Sequence, residues 1–349
     1  MPRTRTYLDH AATTPLRPEA REAMAEGFAI WANPSSPHAE GRKAREALES
    51  GRERVKAALG WEGEVIFTSG ASEALEIALQ RGEAGRRIVS AIEHDAVFRA
   101  AGDAEVLPMN GGWIIDPGPL VEMLGKGPRA VVAIQHVNPE TGTIQPIDSF
   151  ADIVRRDDGL LLVDCAQSAG KLELSRSADM AVVSAHKVGG PIGVGALLVR
   201  DYALLKPTGG QERGYRGGTE NLPGVLGFAA ALEAGGIEAW QTGAAERDAF
   251  RKRLAQTGRV LGGQSTAPHI VSVAHKELSA NALLIRLDAM GFAVSAGSAC
   301  SSGTLKGSRV LEAFDVDKPV AERTIRVSLG WNTTKEDLAA FIGAWESLA

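Results

Sequence analysis

Three short segments carry residue types that can act together on a carbonyl compound. Ser184-Ala185-His186-Lys187-Val188-Gly189-Gly190-Pro191 places a lysine in a glycine-containing turn directly after an apolar run. An amine so placed can condense with an aldehyde cofactor and hold it as an imine. A surface lysine in a turn fits the same residues, since lysine is mostly exposed, so its company matters. Val163-Asp164-Cys165-Ala166-Gln167 ends another apolar run in a carboxylate that is costly to bury without a cation. A protonated pyridine nitrogen is one such cation, and an acid on it sustains an electron sink; a helix N-cap is the plainer role. Gly70-Ala71-Ser72-Glu73 follows EVIFTS and opens a helical pattern, so its backbone N–H groups and the Ser72 hydroxyl can take a phosphate. It has neither a Walker lysine nor the dinucleotide glycine spacing, and an ordinary helix start is its other reading. Together the amine, the acid and the anion turn supply the three grips that pyridoxal phosphate requires: aldehyde, ring nitrogen and phosphate.

What must position these segments is a series of β-rich apolar runs: EVIFTS at 64–69, RRIVSAI at 86–92, RAVVAIQHV at 129–137, GLLLVD at 159–164 and DMAVVSA at 179–185. Their alternation with helical patterns predicts an α/β fold with a mostly parallel sheet covered by helices. The runs end in the turns SGASE, EHD, NPETG, DCAQS and HKVGG, and ligands sit at the carboxyl ends of strands in such sheets, so all five turns are expected around one pocket. GGQERGYRGGTEN after Lys206 is too glycine-rich for a stable helix and reads as a structured loop. From Leu222 an alanine-rich helical stretch leads to a second region, where HIVSVAH, a helix around 280–290 and RTIRVSL predict a smaller α+β domain. The expected division is 16–245 for the large domain, with 1–15 and 246–349 forming the small one.

A net charge of -5 over 349 residues argues against a nucleic-acid partner, and basic pairs such as Arg155 and Arg156 read as solvated helix faces. No apolar stretch is long enough for a bilayer span, and the start MPRTRTYLDHAATTP lacks a secretory pattern; a cytoplasmic location follows as the expectation. Cys165 and Cys300 are the two cysteines, too few for a disulfide framework or a cysteine zinc site, and no metal is expected. Cys165, beside its apolar strand, reads as inert packing. Cys300, in Ser298-Ala299-Cys300-Ser301-Ser302-Gly303, lies among small polar residues that predict an accessible thiol.

The segments YLDHAATTP, ANPSSPH, FTSGASEA, EHDAV, HVNPETG, VDCAQSAGK, SAHKVGGPIGVG, ERGYRGGTEN, SAGSACSSG and TIRVSLGWNTTKED occur in the order found in the class V aminotransferase family of fold-type I pyridoxal-phosphate enzymes. The chain resembles in particular its cysteine desulfurases of the NifS/IscS-like group. The resemblance implies Lys187 as the Schiff-base lysine, Asp164 on the pyridine nitrogen and His94 stacked on the ring. It implies Gln167 and Asn138 near the phenolic oxygen and substrate. Ala71, Ser72, Ser184 and His186 would grip the phosphate, with Thr219 reaching over from a second subunit of a homodimer. Asn33, Asn138 and Arg326 would contact the substrate, a planar guanidinium being suited to a carboxylate. On local chemistry alone His94 and His186 also fit capping or core roles, Arg326 a surface ion pair, and Asn138 a turn before Pro139.

The cofactor does not select the reaction; the cysteine does. In the resembled enzymes the residue at Cys300 accepts sulfur, and the length from Cys300 to Val310-Leu311 is similar to the longer loop of that group. The implied reaction has Lys187 removing the α-proton of L-cysteine and the Cys300 thiolate attacking its sulfur. This leaves a Cys300 persulfide and releases L-alanine, with His94 assisting proton transfers. Sulfur would pass to an acceptor protein, iron–sulfur cluster assembly being one destination. The sequence ends at AAFIGAWESLA without the extension with which some relatives dock a scaffold. The alternative is another class V enzyme: a selenocysteine lyase, a β-eliminating lyase or a small-amino-acid aminotransferase, none of which requires Cys300.

Overall fold

The computed structural model describes residues 5–297 and 307–348. Its strands are β1 (Thr6–Tyr7), β2 (Glu64–Thr68), β3 (Arg86–Ser90), β4 (Glu105–Leu107), β5 (Ala130–Gln135), β6 (Leu160–Asp164), β7 (Met180–Ser184), β8 (Gly195–Val199), β9 (Arg259–Leu261), β10 (Ile270–Ala274), β11 (Phe292–Ala293), β12 (Ser295–Ala296) and β13 (Thr324–Ser328). Seven form the central sheet in the order β2-β8-β7-β6-β5-β3-β4. β8 runs antiparallel to both β2 and β7, and the other neighbouring pairs are parallel. Because β8 alone is reversed in this sheet, β2, β3, β5, β6 and β7 all end at the same edge.

Both faces of the sheet are covered, which is why these strands read as continuous apolar runs rather than alternating ones. On β5, Ala130, Val132 and Ile134 enter one core while Val131 and Ala133 enter the other, the period of two expected of a strand. The helix Leu222–Glu233 is apolar nearly all round and buried along its length, packed against the helices Pro18–Ile30 and Ala39–Leu59. Gly27 permits this approach, since a Cβ there would lie 2.6 Å from Pro223 Cα. The alanine-rich stretch predicted from Leu222 is therefore two helices: the first is followed by Gly235 at φ 101°, and a second runs Ala244–Thr257.

A further core gathers around the antiparallel sheet β12-β13-β10-β9. Phe250, Leu254, Val271, Val273, Leu283, Ile325, Phe341 and Trp345 pack there, and Leu8 from the start of the chain joins them. β1 pairs in parallel with β11, and Asp9 bridges to Ser328. Residues 6–12 thus run from this core across to the carboxyl edge of the central sheet.

Candidate active site

A cavity of about 640 Å³ opens at the edge where β2, β3, β5, β6 and β7 end, and each of the five predicted turns lines it. The parallel ladder places Asp164, at the end of β6, opposite Gln135 on β5 and Val182 on β7. Lys187 follows β7 in a 3-10 turn, Ala185–Lys187, and Gly189 beyond it, at φ 86°, brings the backbone close to Arg17. Lys187 Nζ donates to the carbonyls of Ala11 (2.6 Å) and Ala12 (2.8 Å), and the backbone carbonyl of Lys187 accepts from Thr14 Oγ1 at 3.2 Å. Gln167 Nε2 donates to the same Ala11 carbonyl at 2.9 Å, while its Oε1 is buried without a partner. The N-terminal segment is thus the floor that orients the amine.

Burial raises the Asp164 carboxyl above its ordinary value, although the Ala166 N–H and the charges of His94 and Lys187 pull it back. Ala166 N–H donates to Asp164 Oδ1 at 2.9 Å, so the plainer capping role is also filled. A carboxyl held up by desolvation gains most from a cationic ligand group. His94 caps the helix Asp95–Ala101 by accepting from Ala96 N–H at Nδ1, 3.1 Å, which leaves Nε2 as the ring's proton-bearing atom. The turn that carries it is clamped by Arg309, whose guanidinium donates to the carbonyls of Ala91 and Glu93, pairs with Asp95 at 3.2 Å and lies 4.0 Å over Phe98.

On the anion side, Gly70 at φ 155° precedes the helix Ala71–Arg81 with no side-chain cap, so its first N–H groups are available to a ligand. Gly195 passes so close that a Cβ would meet Gly70 Cα at 2.7 Å. The one acid in that turn, Glu73, is taken up by Ser69 N–H (2.5 Å) and Arg216 (2.9 Å). Ala71, Ser72, Ser184 and His186 all line this part of the cavity. His186 bonds Thr13 Oγ1 at 3.1 Å and is pushed down to about 4 by burial and then by Lys187 and Lys171, so it is neutral.

Arg326 lies on β13, buried rather than on the surface, with Asp9 at 2.8 Å and the Pro139 carbonyl at 3.0 Å; its Nε is buried without a partner. Two acids that the sequence reading passed over also line the cavity. Glu93 is fully buried and pushed up to about 8 by desolvation; one oxygen accepts from Ser90 Oγ and from Gln135 N–H (2.8 Å), and the other has no partner. Glu140, pushed up to about 7 by burial, accepts from Ser308 Oγ at 2.5 Å. Their place within the EHD and NPETG segments, both of which end strands at this edge, is the signal that could have found them.

Other expected residues lie elsewhere. Asn138 is buried next to the cavity with its side chain committed to the turn: Oδ1 accepts from Glu140 N–H, Thr141 N–H and Thr141 Oγ1, and Nδ2 donates to the Ile92 carbonyl. Asn33 is exposed and bonds Ser35 N–H. Thr219 is exposed and does not line the cavity of its own chain. Cys300 lies outside the described residues. Cys165 is buried and its thiol is pushed up to about 12 by desolvation, as inert packing requires. Among the described residues no His/Cys/Asp/Glu group is arranged to hold a metal, and no helix is long and apolar enough to cross a membrane.

Fold and site together define an enzyme of the class V aminotransferases, and that family matches residues 6–341. The cysteine desulfurase IscS of Dictyoglomus turgidum is 36% identical over 95% of this chain and 91% of its own length. A NifS-like protein from Rickettsia africae superposes with a TM-score of 0.86 at 27% identity, covering 99% of both chains. A structure described as SspA in complex with cysteine gives 0.81 at 31% identity over 94% of this chain and 100% of that one. The chain belongs to the class V aminotransferase family and, within it, to the cysteine desulfurases of the NifS/IscS-like group. The architecture is accordingly that of fold-type I pyridoxal-phosphate enzymes.

Proposed function

We propose that the cavity holds pyridoxal 5'-phosphate on Lys187 and that the chain removes sulfur from L-cysteine, leaving L-alanine and a persulfide on Cys300. The observation that carries this reading is the pairing of Lys187, oriented by two backbone carbonyls, with Asp164, a buried carboxyl raised by desolvation at the end of the adjacent strand. The residues present fit the group: uncapped N–H groups at Ala71 and Ser72 for a phosphate, Asp164 for a ring nitrogen, and Lys187 for an aldehyde. When bound, the cofactor supplies an electron sink for the carbanion left by loss of an α-proton.

The chain's own residues do the rest. Lys187 takes the substrate α-proton, and His94, capped at Nδ1, moves protons through Nε2. Arg326 offers its unfilled guanidinium edge to the substrate carboxylate. The Cys300 thiolate attacks the substrate sulfur, which becomes the terminal sulfur of the persulfide, and the carbon it leaves is protonated on the way to alanine. Thr219, exposed on its own chain, serves the pocket of a second copy in a homodimer. Asn33 and Asn138 shape the substrate side, the latter through its turn. Persulfide sulfur passes to an acceptor protein in the cytoplasm, iron–sulfur assembly being the destination favoured by the IscS likeness.

The test is incubation with L-cysteine with and without reductant, measuring alanine and sulfide together, for wild type and Cys300→Ser. Equal alanine and sulfide from wild type, with little of either from Cys300→Ser, are expected. Pyruvate as product, or full turnover by Cys300→Ser, would favour the lyase or aminotransferase alternative. Borohydride reduction should fix the cofactor on Lys187, and a reduced adduct on another lysine would refute the assignment.

A further inference from the structure

None of the chemical steps uses Glu140, yet its carboxylate meets both ends of the stretch that bears Cys300. On the outgoing side, Gly297 follows β12, and a Cβ there would lie 2.7 Å from Glu140 Oε2. On the returning side, Ser308 Oγ donates to that same oxygen at 2.5 Å and accepts from Leu311 N–H at 3.0 Å, which caps the helix Arg309–Ala313. The backbone that carries Glu140 is itself fixed, since Asn138 Oδ1 accepts from Glu140 N–H at 3.0 Å. The neighbouring Pro139 carbonyl accepts from Arg326 at 3.0 Å, and Ser295, just before Gly297 on β12, pairs with Arg326 across the ladder to β13. Gly297, Ser308, Glu140 and Arg326 all line the cavity.

We propose that Glu140 is a positioning residue for sulfur transfer, its carboxylate fastening the two ends of the Cys300 stretch to the turn that also holds Arg326. The inference rests on Cys300 being the sulfur acceptor. In that step the Cys300 thiolate forms the S–S bond as the substrate Cβ–Sγ bond breaks, and the electron pair stays on carbon, which takes a proton. The rate depends on how well the thiolate is aimed at that bond, and a misplacement of about 1 Å can cost roughly 100-fold. A carboxylate that touches both chain ends from the turn of Arg326 refers acceptor thiol and substrate carboxylate to one frame. Ends held together also keep the effective concentration of a tethered group high. The hydroxyl-to-carboxylate bond is of the charge-assisted kind, stronger than a neutral one. Glycine at 297 leaves the oxygen where Ser308 reaches it, whereas a methyl group would push the flexible end of Glu140 aside. Arg309 holds the returning end a second time through the carbonyls of Ala91 and Glu93, so loss of Glu140 loosens the ends without releasing them.

The test mixes the holoenzyme with L-cysteine, quenches in acid and follows first-turnover persulfide on Cys300 by mass spectrometry. Two readouts precede the sulfur step: the visible-absorption change on binding L-cysteine, and solvent exchange of the α-hydrogen of L-alanine. Glu140→Ala should slow persulfide formation roughly 10- to 100-fold and leave both earlier readouts within about twofold of wild type. Glu140→Gln keeps an oxygen for Ser308 Oγ and should regain most of the rate. Ser308→Gly, which drops the donor and keeps a tolerated helix cap, should slow the step about 3- to 10-fold. Gly297→Ala should cost about 3- to 10-fold alone and nothing further beside Glu140→Ala, where no carboxylate remains to be displaced. An undiminished persulfide rate in Glu140→Ala, additive losses in that double variant, or equal losses in all three readouts would overturn the proposal. Should Glu140→Ala fail to fold, Ser308→Gly and Gly297→Ala still decide: wild-type persulfide rates in both overturn it. Absence of persulfide from wild-type Cys300 would defeat the acceptor assignment and this inference with it. Persulfide formed on Cys300 equally fast by wild type and variants would defeat this inference alone.

Discussion

Arg52 and Arg326 are both buried arginines facing a carboxylate, and they are finished in opposite ways. Arg52, 2% exposed, donates to both oxygens of Glu212 (2.8 and 3.1 Å), to the Val65 carbonyl (2.5 Å) and to Glu49 (3.3 Å), and stacks over Phe67. Glu212 in turn accepts from Phe67 N–H at 2.8 Å. The anchor fastens a loop whose Glu212 and Arg213 have φ of 47° and 56°, a conformation that costs energy in side-chain-bearing residues. Arg326 instead keeps a buried Nε unpartnered beside the cavity. A saturated guanidinium secures backbone; an unsaturated one keeps a donor for something that arrives. Buried donors are rarely left over without such a reason.

The largest test of that contrast is Arg52→Met, which strands the Glu212 carboxylate and should cost about 3–5 kcal/mol in denaturant unfolding, while the folded fraction keeps its KM for L-cysteine. Arg326→Met should invert the pattern. KM should rise roughly 30- to 150-fold, the worth of a charged hydrogen bond of about 2–3 kcal/mol, with kcat little changed and a smaller loss of stability, because Ser295 Oγ still donates to Asp9 at 2.6 Å. Equal damage to stability and KM in both variants would erase the distinction.

Glu93 extends the comparison to an acid with one oxygen unfilled. Its carboxyl rises from 4.5 to about 8 on folding, so the native state binds the extra proton between those values. Stability should therefore fall as pH rises through that window, with a slope of up to about 1.4 kcal/mol per pH unit from this group. Glu93→Gln, which mimics the protonated form, should flatten the slope measured by urea unfolding at several pH values. The smallest effect is expected from Asp9→Asn: if Arg326 is the carboxylate site proposed above, removing the competing charge should lower KM a few-fold.

The strands that carry the site were legible because a sheet covered on both faces leaves uninterrupted apolar runs, and their five turns do meet at one cavity. β8 was not singled out, although GALLV is as apolar as its neighbours, because periodicity carries no information on strand direction. Segment order alone named Lys187, Asp164, His94 and Arg326, and the structure brings all four to the cavity. Asn138 lies next to the cavity with its amide turned into its own backbone turn, an orientation that an asparagine before Pro139 adopts readily and that segment order does not reveal. Glu93 and Glu140 escaped notice because burial, which gives each its shifted proton affinity, is a property of the assembled fold.

The pairing of β1 with β11 and of Asp9 with Ser328 also sets a timetable. Thr6 to Asp9 find their strand partners only in Phe292, Ala293 and Ser328, a closure over most of the sequence. The carbonyls of Ala11 and Ala12 follow directly on those residues. With β6 and β7 in place but the C-terminal core unformed, that segment is held only by its contacts with the turns around Gln167 and Lys187, so the aim of the amine should sharpen once Phe292 and Ser328 anchor the residues before it.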